Sequence, residues 1–327
     1  MTKKLNIALA QINPTVGDLE GNKAKILAEF EKAKNNNCDL LVLPEMAICG
    51  YDCGDLWQKE YFIDEISDKI LEICAKTKNS KTAILLGAPT IFTKNNRKNT
   101  TYNSAILIFD GEVTNIINKK SLPNSAVFDE KRYFESENFL SYIEFGGFTL
   151  NILICEDMWN LKNLYLAKEQ IFDLTLVINA SPFWQNKQEK RLEVAKNYAI
   201  QTAKPLIYVN MVGAQDSLVF DGASFVLDNK GEIALKMANF AEDFANIEVS
   251  KTGEFFNIAQ NLKSFDFADN ELSNIYQACV LGLREYIYKN GFKNVLLGMS
   301  GGIDSALVAT IAVDALGSEN VKLYALP

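Results

Sequence analysis

Short apolar runs recur along the chain and are separated by polar stretches rich in turn-forming residues. Runs of this length predict β-strands, and several are apolar at nearly every position, which predicts strands covered on both faces. The predicted strands are LNIALAQI from Leu5, DLLVLPE from Asp39, TAILLGAP from Thr82, NSAILIF from Asn103, TLNILICED from Thr149, LTLVINA from Leu174, PLIYVNMVG from Pro205 and ASFVLD from Ala223.

Helical patterns alternate with the early strands. The stretch 17–37 predicts a helix, because four apolar side chains share one helical face, namely Ile26, Leu27, Phe30 and Ala33. Residues 55–78 and 185–203 have the same pattern. A hairpin-like pair, residues 105–110 and 113–118, interrupts the alternation, so the pattern predicts an α/β fold with a mixed sheet.

The pattern changes after Val249. The next residues, SKTGEFFNIAQNLKSFDFADNE, are polar and irregular, which predicts a connector lying on a surface. We therefore expect a first domain over residues 1–250, a connector over 251–267 and a second unit over 268–327.

The second unit begins with a predicted helix from Glu271 that ends at Asn290-Gly291. Its apolar stripe comprises Leu272, Ile275, Tyr276, Cys279, Leu283 and Ile287. The following segment, NVLLGMSGGIDSALVATIAVDAL, predicts a strand, a glycine turn and a helix. Since one strand–helix–strand unit leaves sheet faces and edges uncovered, we expect this unit to be truncated at Pro327.

Composition indicates an ordinary globular protein. The chain has 327 residues, 48% apolar and 23% charged, with 41 acidic and 33 basic residues and a formal charge of -8. The negative charge argues against a nucleic-acid partner. No apolar run approaches the roughly 20 residues of a membrane helix, and the first residues lack the features of a secretion signal. We expect a cytoplasmic protein without a membrane partner.

Cysteine and histidine usage narrows the chemistry. The six cysteines form no paired framework, so no disulfides are expected, and Cys49 with Cys53 lacks the second pair of a zinc site. The chain contains no histidine, which excludes Ser-His-Asp triads and papain-like Cys-His pairs. Acid–base chemistry must then come from Asp, Glu, Lys, Tyr or Cys, and we expect no metal in the first domain.

Three reactive side chains follow predicted strands: Glu45 in LPEMAICGY, Lys119 in INKKSLPN and Cys155 in ILICEDMW. Strand ends are where ligands bind in open α/β folds. Taken singly, Cys155 has the pattern of a small buried apolar residue and Lys119, beside Lys120, that of a solvated surface pair. Together they are a minimal set for histidine-free acyl transfer.

These three segments resemble the nitrilase superfamily of carbon–nitrogen hydrolases over roughly residues 4–250. The matching elements are Pro44-Glu45, Lys119 ahead of Leu122, and the Cys-Glu-Asp motif that starts at Cys155. Lys120 is one residue out of register with the family pattern. The resemblance implies a four-layer α-β-β-α sandwich, with Cys155 as the nucleophile.

The resemblance also implies the roles of the other groups. Glu45 would take the proton of Cys155, while the Lys119 ammonium and a backbone N–H near Glu156 would stabilise the oxyanion. Glu130 matches a second glutamate near the family's site. Alternatively, Glu130 has only a structural role, as the charge partner of Lys131 or Arg132.

The glycine turn SGGIDS lies between an apolar strand and a helix, where backbone N–H groups bind phosphates. It is not a Walker A loop, since no Gly-Lys-Ser/Thr follows. It resembles the Ser-Gly-Gly-x-Asp-Ser loop of ATP pyrophosphatases, which implies an incomplete Rossmann-like segment. The ATP-binding residues implied are Gly298, Ser300, Gly301, Gly302, Asp304 and Ser305.

A nitrilase-type domain followed by this loop is similar to the glutamine-dependent NAD synthetase family. The resemblance implies that the first domain hydrolyses L-glutamine and that ammonia reaches the second, which uses ATP with Mg²⁺ to adenylate and amidate deamido-NAD. LPNSAVFDEKRYF and NASPFWQNK also match the family, and the second places Ser181 and Lys187 on its glutamine-binding positions. The resemblance as a whole implies a homo-oligomer and a glutamine pocket that includes Ser125, Glu156, Ser181 and Lys187. The family has tyrosine where Ser125 stands, so a wall of the pocket is lost.

Two other functions fit the same residues. A stand-alone nitrilase-type amidase or carbamoylase would cleave other amides, and its C-terminal extension would be fortuitous. A non-catalytic remnant or scaffold would keep the site residues without activity; Ser125 and the truncation favour it. Without the rest of the second unit, at most glutamine hydrolysis is expected.

Overall fold

The computed structural model describes residues 2–92, 100–137, 142–253, 255–259 and 271–325, and two large β-sheets form its main body. The first sheet has seven strands, β1 Lys3–Gln11, β2 Leu40–Val42, β3 Ala83–Phe92, β4 Thr100–Phe109, β5 Glu112–Asn118, β14 Asp243–Thr252 and β15 Phe255–Ala259. Their order is β15-β14-β1-β2-β3-β4-β5. β1 to β3 are parallel and the other pairs antiparallel, so the predicted mixed sheet is confirmed.

The second sheet has six strands, β6 Tyr142–Phe145, β7 Phe148–Ile154, β8 Leu174–Asn179, β9 Leu206–Asn210, β12 Phe225–Leu227 and β13 Ile233–Lys236. Their order is β13-β12-β9-β8-β7-β6, and β7, β8 and β9 are parallel. Every residue of β8 and β9 is buried, as their continuous apolar runs predict. A separate hairpin joins β10 Val212–Gln215 to β11 Leu218–Asp221.

Helices cover the outer face of each sheet. The helices α1 (Leu19–Asn35) and α2 (Glu60–Thr77) pack on the first sheet, and α3 (Leu161–Lys168) and α4 (Lys187–Thr202) pack on the second. A third apolar layer lies between the sheets. The main body is therefore the expected four-layer α-β-β-α sandwich.

The first helix shows how the sequence specifies this packing. The Asp18 side chain accepts a hydrogen bond from the N–H of Gly21 and caps the helix. Ile26, Phe30 and Ala33 are fully buried against the first sheet, so the predicted helical face is confirmed.

The stretch after Val249 was expected to be irregular, and this is wrong for residues 250–252 and 255–259, which lie in strands. β14 and β15 form an antiparallel hairpin at the edge of the first sheet. β15 is the edge strand, and β14 lies between it and β1. In β14 only Ile247 and Val249 are buried, and the residues after Val249 are polar, so the apolar pattern does not show that the strand continues. The rest of the predicted connector, residues 260–267, lies outside the described residues.

The second unit consists of α5 (Glu271–Lys289), β16 (Val295–Met299), α6 (Ile303–Leu316) and β17 (Val321–Ala325). β16 and β17 are parallel and joined through α6, as in a Rossmann-like fold. α5 also contacts the main body, where Lys289 Nζ donates to the carbonyl oxygen of Ala214 at 3.0 Å. None of the helices in the described part of the chain has the length and apolarity to span a membrane.

The predicted stripe of α5 is only partly correct. Ile287 is buried, but Leu272 and Cys279 are exposed. The buried residues of α5 point in two directions: Ala278 and Leu281 pack against the main body, and Val280 and Ile287 pack against α6 and β16. A helix with two packing partners does not show a single apolar stripe.

Candidate active site

Glu45, Lys119 and Cys155 follow β2, β5 and β7, and the structure brings them together at one end of the sandwich. Lys119 Nζ lies 2.8 Å from Glu45 Oε1 and 2.8 Å from Glu130 Oε1. Each of the three charged side chains is at most 1% exposed. Buried charges are retained when they are paired and hydrogen-bonded, as these are.

Glu45 is held by two further donors. Asn103 Nδ2 donates to Glu45 Oε1 at 2.7 Å, and the backbone N–H of Ala180 donates to Oε2 at 2.7 Å. Asn103 begins a predicted strand but was not singled out in the sequence. The only signal in the sequence was a polar amide at the start of an apolar run, and the structure shows this amide to be fully buried and hydrogen-bonded.

Glu130 belongs to the same cluster. Its Oε1 also accepts a hydrogen bond from the Tyr51 hydroxyl at 3.0 Å, whereas Arg132 pairs with Asp55 at 3.0 Å. The contacts thus connect Glu130 to Lys119 and Tyr51 rather than to its neighbours in sequence. Burial raises the pKa of Glu130 to about 7, against the opposing effect of Lys119.

Lys119 and Lys120 have different surroundings, and this difference bears on which of the two is the catalytic candidate. Burial alone would lower the pKa of Lys119, but the carboxylates of Glu130 and Glu45 outweigh it and raise this pKa well above its usual range. Lys120 Nζ instead lies 4.0 Å from Asp157 Oδ2. Both side chains are buried, contrary to the pattern of a solvated pair.

Cys155 lies at a sharp turn at the end of β7. Its φ is +46°, a left-handed conformation that costs a non-glycine residue of the order of 1–3 kcal/mol. The side chain is 4% exposed. Burial and the negative charge of Glu45 raise the pKa of the thiol, while Lys119 opposes the shift. The resting residue is therefore a thiol, and attack requires a base.

Lys187 and Glu156 lie near Cys155. Lys187 is buried, with Nζ 3.4 Å from the ring centroid of Trp184 and 4.1 Å from that of Trp159. Burial and the Arg191 charge lower the pKa of Lys187 to about 8. Burial raises the pKa of Glu156, and the positive charges of Lys119 and Lys187 oppose this rise.

Ser181 and Ser125 differ in burial. Ser181 is buried after β8, and its Oγ accepts from Arg191 Nε at 3.1 Å. Ser125 is exposed on the loop after Lys119, and its carbonyl oxygen accepts from the N–H of Phe128 at 3.1 Å.

Arg191, which the sequence pattern did not single out, supports the turn that carries Ser181. It donates to the carbonyl oxygens of Ser181 at 2.7 Å and Pro182 at 2.9 Å, and its guanidinium pairs with Asp221 at 2.7 Å. Both charged side chains are at most 1% exposed. Nη1 donates to both oxygens of Asp221, and Nη2 holds the start of the 181–187 segment against α4 through the two carbonyl oxygens.

Replacing Arg191 by Met is expected to lower the free energy of unfolding by about 3–5 kcal/mol, because the buried Asp221 carboxylate would lose its cationic partner and, within the described residues, keep only the hydrogen bond from Gln188. Urea denaturation checks this value. Lys4→Met, which breaks the surface pair of Lys4 with Glu248, should cost under about 1 kcal/mol. Similar losses from both variants would contradict a structural role for the buried pair.

The glycine turn of the second unit lies between β16 and α6. Ser300 Oγ is 3.2 Å from Ser305 Oγ, and the N–H of Gly302 donates to Ser300 Oγ at 3.4 Å. Gly301 has a φ of +79°, which glycine adopts without strain. Asp304 lies in the first turn of α6, and Gly298 lies in β16. Gly298, Ser300, Gly301, Gly302 and Asp304 are exposed, and Ser305 is partly buried.

Two relatives match nearly the whole chain. A glutamine-dependent NAD(+) synthetase of Acinetobacter baylyi is 34% identical over 99% of this chain and 58% of its own length. One from Synechocystis is 37% identical over 98% of this chain and 59% of its own length. The chain thus spans a little under two thirds of the curated relatives it matches.

Solved structures agree with the fold. The glutamine-dependent NAD+ synthetase of Acinetobacter baumannii, in complex with ADP, has a TM-score of 0.90 and 34% identity over 99% of this chain and 60% of that chain. An amidase of the nitrilase superfamily from Nesterenkonia has a TM-score of 0.65 and 20% identity, over 75% of this chain and 90% of its own, and shows the fold alone.

Family models match both parts of the chain. The NAD synthase model matches residues 275–327, which include the glycine turn. The carbon–nitrogen hydrolase model matches residues 6–254, which contain Glu45, Lys119 and Cys155. The chain therefore belongs to the carbon–nitrogen hydrolase family.

Proposed function

We propose that this chain carries the glutaminase domain of a glutamine-dependent NAD synthetase, together with the first part of its synthetase unit. The glutaminase would occupy residues 1–250, the connector 251–267 and the synthetase segment 268–327. The observation that carries the proposal is the buried Glu45–Lys119 pair beside Cys155, followed in the same chain by the SGGIDS turn. The two synthetases similar over nearly the whole chain support it.

Glutamine hydrolysis begins with deprotonation of Cys155. Glu45 accepts the thiol proton, and the thiolate attacks the γ-amide carbon of glutamine. A carboxylate suits this role because two donors besides Lys119 orient it. The tetrahedral intermediate carries its negative charge on the former amide oxygen.

The Lys119 ammonium and the backbone N–H of Glu156 stabilise this oxyanion. Glu130 keeps Lys119 protonated and in place through its 2.8 Å contact. Glu45 then returns the proton to the leaving nitrogen, the C–N bond breaks, and ammonia leaves a γ-glutamyl thioester on Cys155. Water activated by Glu45 hydrolyses the thioester to glutamate and restores the thiol. Of these interactions, charge stabilisation by Lys119 gains most from burial, because charges interact more strongly where water is excluded.

Glutamine binding is assigned to Ser125, Glu156, Ser181 and Lys187. Lys187 is suited to the α-carboxylate of glutamine because its ammonium is buried between two indole rings, and Glu156 is suited to the α-amino group. Ser125 contributes a short hydroxyl where the family has tyrosine, so this wall of the pocket is smaller.

The KM for glutamine is expected to rise severalfold between about pH 7 and pH 9, because Lys187 has a pKa of about 8 and is neutral above it. The ammonium form, which binds the carboxylate, is populated below that pH. Steady-state kinetics over this range measures the rise. In Lys187→Arg the guanidinium stays charged, so the rise should disappear; the same rise in both enzymes would contradict the assignment.

The synthetase unit would use ATP to adenylate deamido-NAD, and the released ammonia would then displace AMP to form NAD. The loop fits a pyrophosphate, since Ser300, Ser305 and the N–H groups of Gly301 and Gly302 provide hydrogen-bond donors at a helix N-terminus. The carboxylate of Asp304 is the kind of hard oxygen ligand that Mg²⁺ prefers. Mg²⁺ would neutralise charge on the phosphates. The complex of the Acinetobacter baumannii synthetase with ADP supports nucleotide use by a synthetase of this kind.

A homo-oligomer in the cytoplasm is also proposed. Leu161 and Tyr165 on α3 are 59% and 62% exposed on the outer layer of the sandwich, where a second copy would cover them. Sedimentation equilibrium measures this state, and a monomer at all concentrations would exclude it.

The experiment that tests the proposed function compares substrates. Ammonia release by this chain is measured with L-glutamine, a short aliphatic amide and an N-carbamoyl amino acid. A kcat/KM at least about tenfold higher for glutamine is expected, since a site that pairs both α-groups rejects amides that lack them. A preference for a simple amide or for the carbamoyl compound would identify a stand-alone amidase or carbamoylase. No release from any would favour a non-catalytic remnant.

A further inference from the structure

Asp157 is a buried carboxylate that the mechanism above does not use, and it contacts the backbone of two catalytic segments. These are the lysine loop, residues 119–121, and the nucleophile turn, residues 154–157. Asp157 is fully buried. Its Oδ1 accepts from the backbone N–H groups of Lys120 at 2.9 Å and Ser121 at 2.7 Å.

The second oxygen of Asp157 holds the nucleophile turn itself. Oδ2 accepts from the backbone N–H of Ile154 at 3.1 Å, directly before Cys155. Cys155 has the left-handed φ of +46°, and such a conformation persists only where the surroundings enforce it. Asp157 therefore closes a hydrogen-bonded ring around the strained residue.

Lys120 supplies the charge that balances Asp157. Its Nζ lies 4.0 Å from Asp157 Oδ2, and the side chain is 5% exposed. Within the described part of the chain, Nζ has no hydrogen-bond partner. The buried Lys120 ammonium, close to this carboxylate, adds electrostatic attraction where the two segments meet.

We propose that Asp157 is a positioning residue that sets the separation of the Lys119 ammonium and the Cys155 thiol by fixing the backbone of both segments. The inference rests on the proposed function for the identity of the reaction, but its geometry does not depend on the substrate. Asp157 does not touch glutamine; it acts through Lys119, Cys155 and the oxyanion donor at Glu156. Loss of Asp157 should therefore slow chemistry more than it weakens binding.

Asp157→Asn is the informative variant. The amide is the same size, but its NH₂ group must face at least one N–H donor that Asp157 now accepts from. We expect kcat for glutamine hydrolysis to fall about 100-fold, as a displacement near 1 Å does, with KM within about threefold. A covalent glutamine-derived diazoketone titrates intact sites, so that kcat refers to folded protein.

Asp173→Asn is the matched control. Asp173 is also buried, accepts from the N–H of Thr149 at 3.1 Å and pairs with Lys251, but it lies at the opposite end of β7. Its kcat per titrated site should stay within about threefold of the parent protein, because the catalytic geometry is untouched. Equal kcat values for the two variants would overturn the positioning role.

A second measurement is independent of glutamine. The rate at which iodoacetamide alkylates Cys155, followed by peptide mass mapping, should be about tenfold lower in Asp157→Asn, since the thiolate depends on correctly placed neighbours. If the parent protein hydrolyses no glutamine, the proposed function fails, yet this rate still tests Asp157. An unchanged rate would contradict the inference.

If Asp157→Asn does not fold, a double variant that is neutral at positions 157 and 120 takes its place. Asp157→Asn with Lys120→Met removes both buried charges and is compared with Lys120→Met alone. The same loss of kcat and of alkylation rate is expected. Equal values for the double and single variants would again overturn the proposal.

Discussion

Replacing Cys155 by Ala is expected to lower ammonia release from glutamine by a factor on the order of 10⁴ or more, since no other group forms the thioester. The change removes one sulfur atom from a residue that is 4% exposed. Fold and glutamine binding should therefore persist. Ammonia detection at saturating glutamine measures the rate, and circular dichroism with thermal unfolding checks the fold.

The matched control for this variant is Cys279→Ala. Cys279 is exposed on α5, remote in sequence from the catalytic segments. It should retain the full rate. Residual activity in Cys155→Ala above a few per cent of the parent rate would assign the nucleophile to another group.

Replacing Lys119 by Met is expected to lower kcat by about 10³, because the oxyanion loses its ammonium. The same change should destabilise the fold by about 3–5 kcal/mol. Glu45 and Glu130, which both contact Lys119 Nζ at 2.8 Å, would be left as neighbouring buried carboxylates. Steady-state kinetics and urea denaturation measure the two effects.

A double variant separates the two effects of Lys119. Adding Glu130→Gln removes one uncompensated carboxylate, so stability should recover in part while kcat stays low. Lys120→Met tests the register of the two lysines and should cost less than about tenfold in kcat. If Lys120→Met lost more activity than Lys119→Met, the catalytic assignment would be reversed.

The sequence predicted the strands and the residues that end them because both signals are local. Glu45 and Cys155 stand directly after apolar runs, and these runs became buried strands. The four-layer sandwich followed from a resemblance, since alternating strands and helices alone predict only a mixed α/β fold. The contacts of Glu130 and the burial of Lys119 could not be predicted from local sequence, because they depend on how distant segments pack in the fold.

Residues missed in the sequence hold the site through long-range contacts. Asn103 reaches a carboxylate 58 positions away, and the Ala180 N–H reaches the same side chain across 135 positions. Arg191 resembles any other charged residue of an amphipathic helix, yet it is buried against Asp221. Local patterns carry no information on such partners, because the sheets must first bring the segments together.

The edge hairpin and α5 show the same limit in the fold. β14 and β15 alternate apolar and polar positions weakly, and their registers are set by pairing, of β14 with β1 and of β15 with β14. α5 divides its buried residues between the main body and α6. The single predicted apolar stripe therefore matches neither of these two packing surfaces.

The central claim is that Cys155 forms a γ-glutamyl thioester with glutamine, and trapping this intermediate tests it most directly. The protein is mixed with glutamine, quenched in acid within a turnover and digested for peptide mass mapping. A γ-glutamyl adduct on Cys155, absent from the Cys155→Ala variant, is the expected result. Ammonia release without an adduct, or an adduct on another cysteine such as Cys49, would contradict the account.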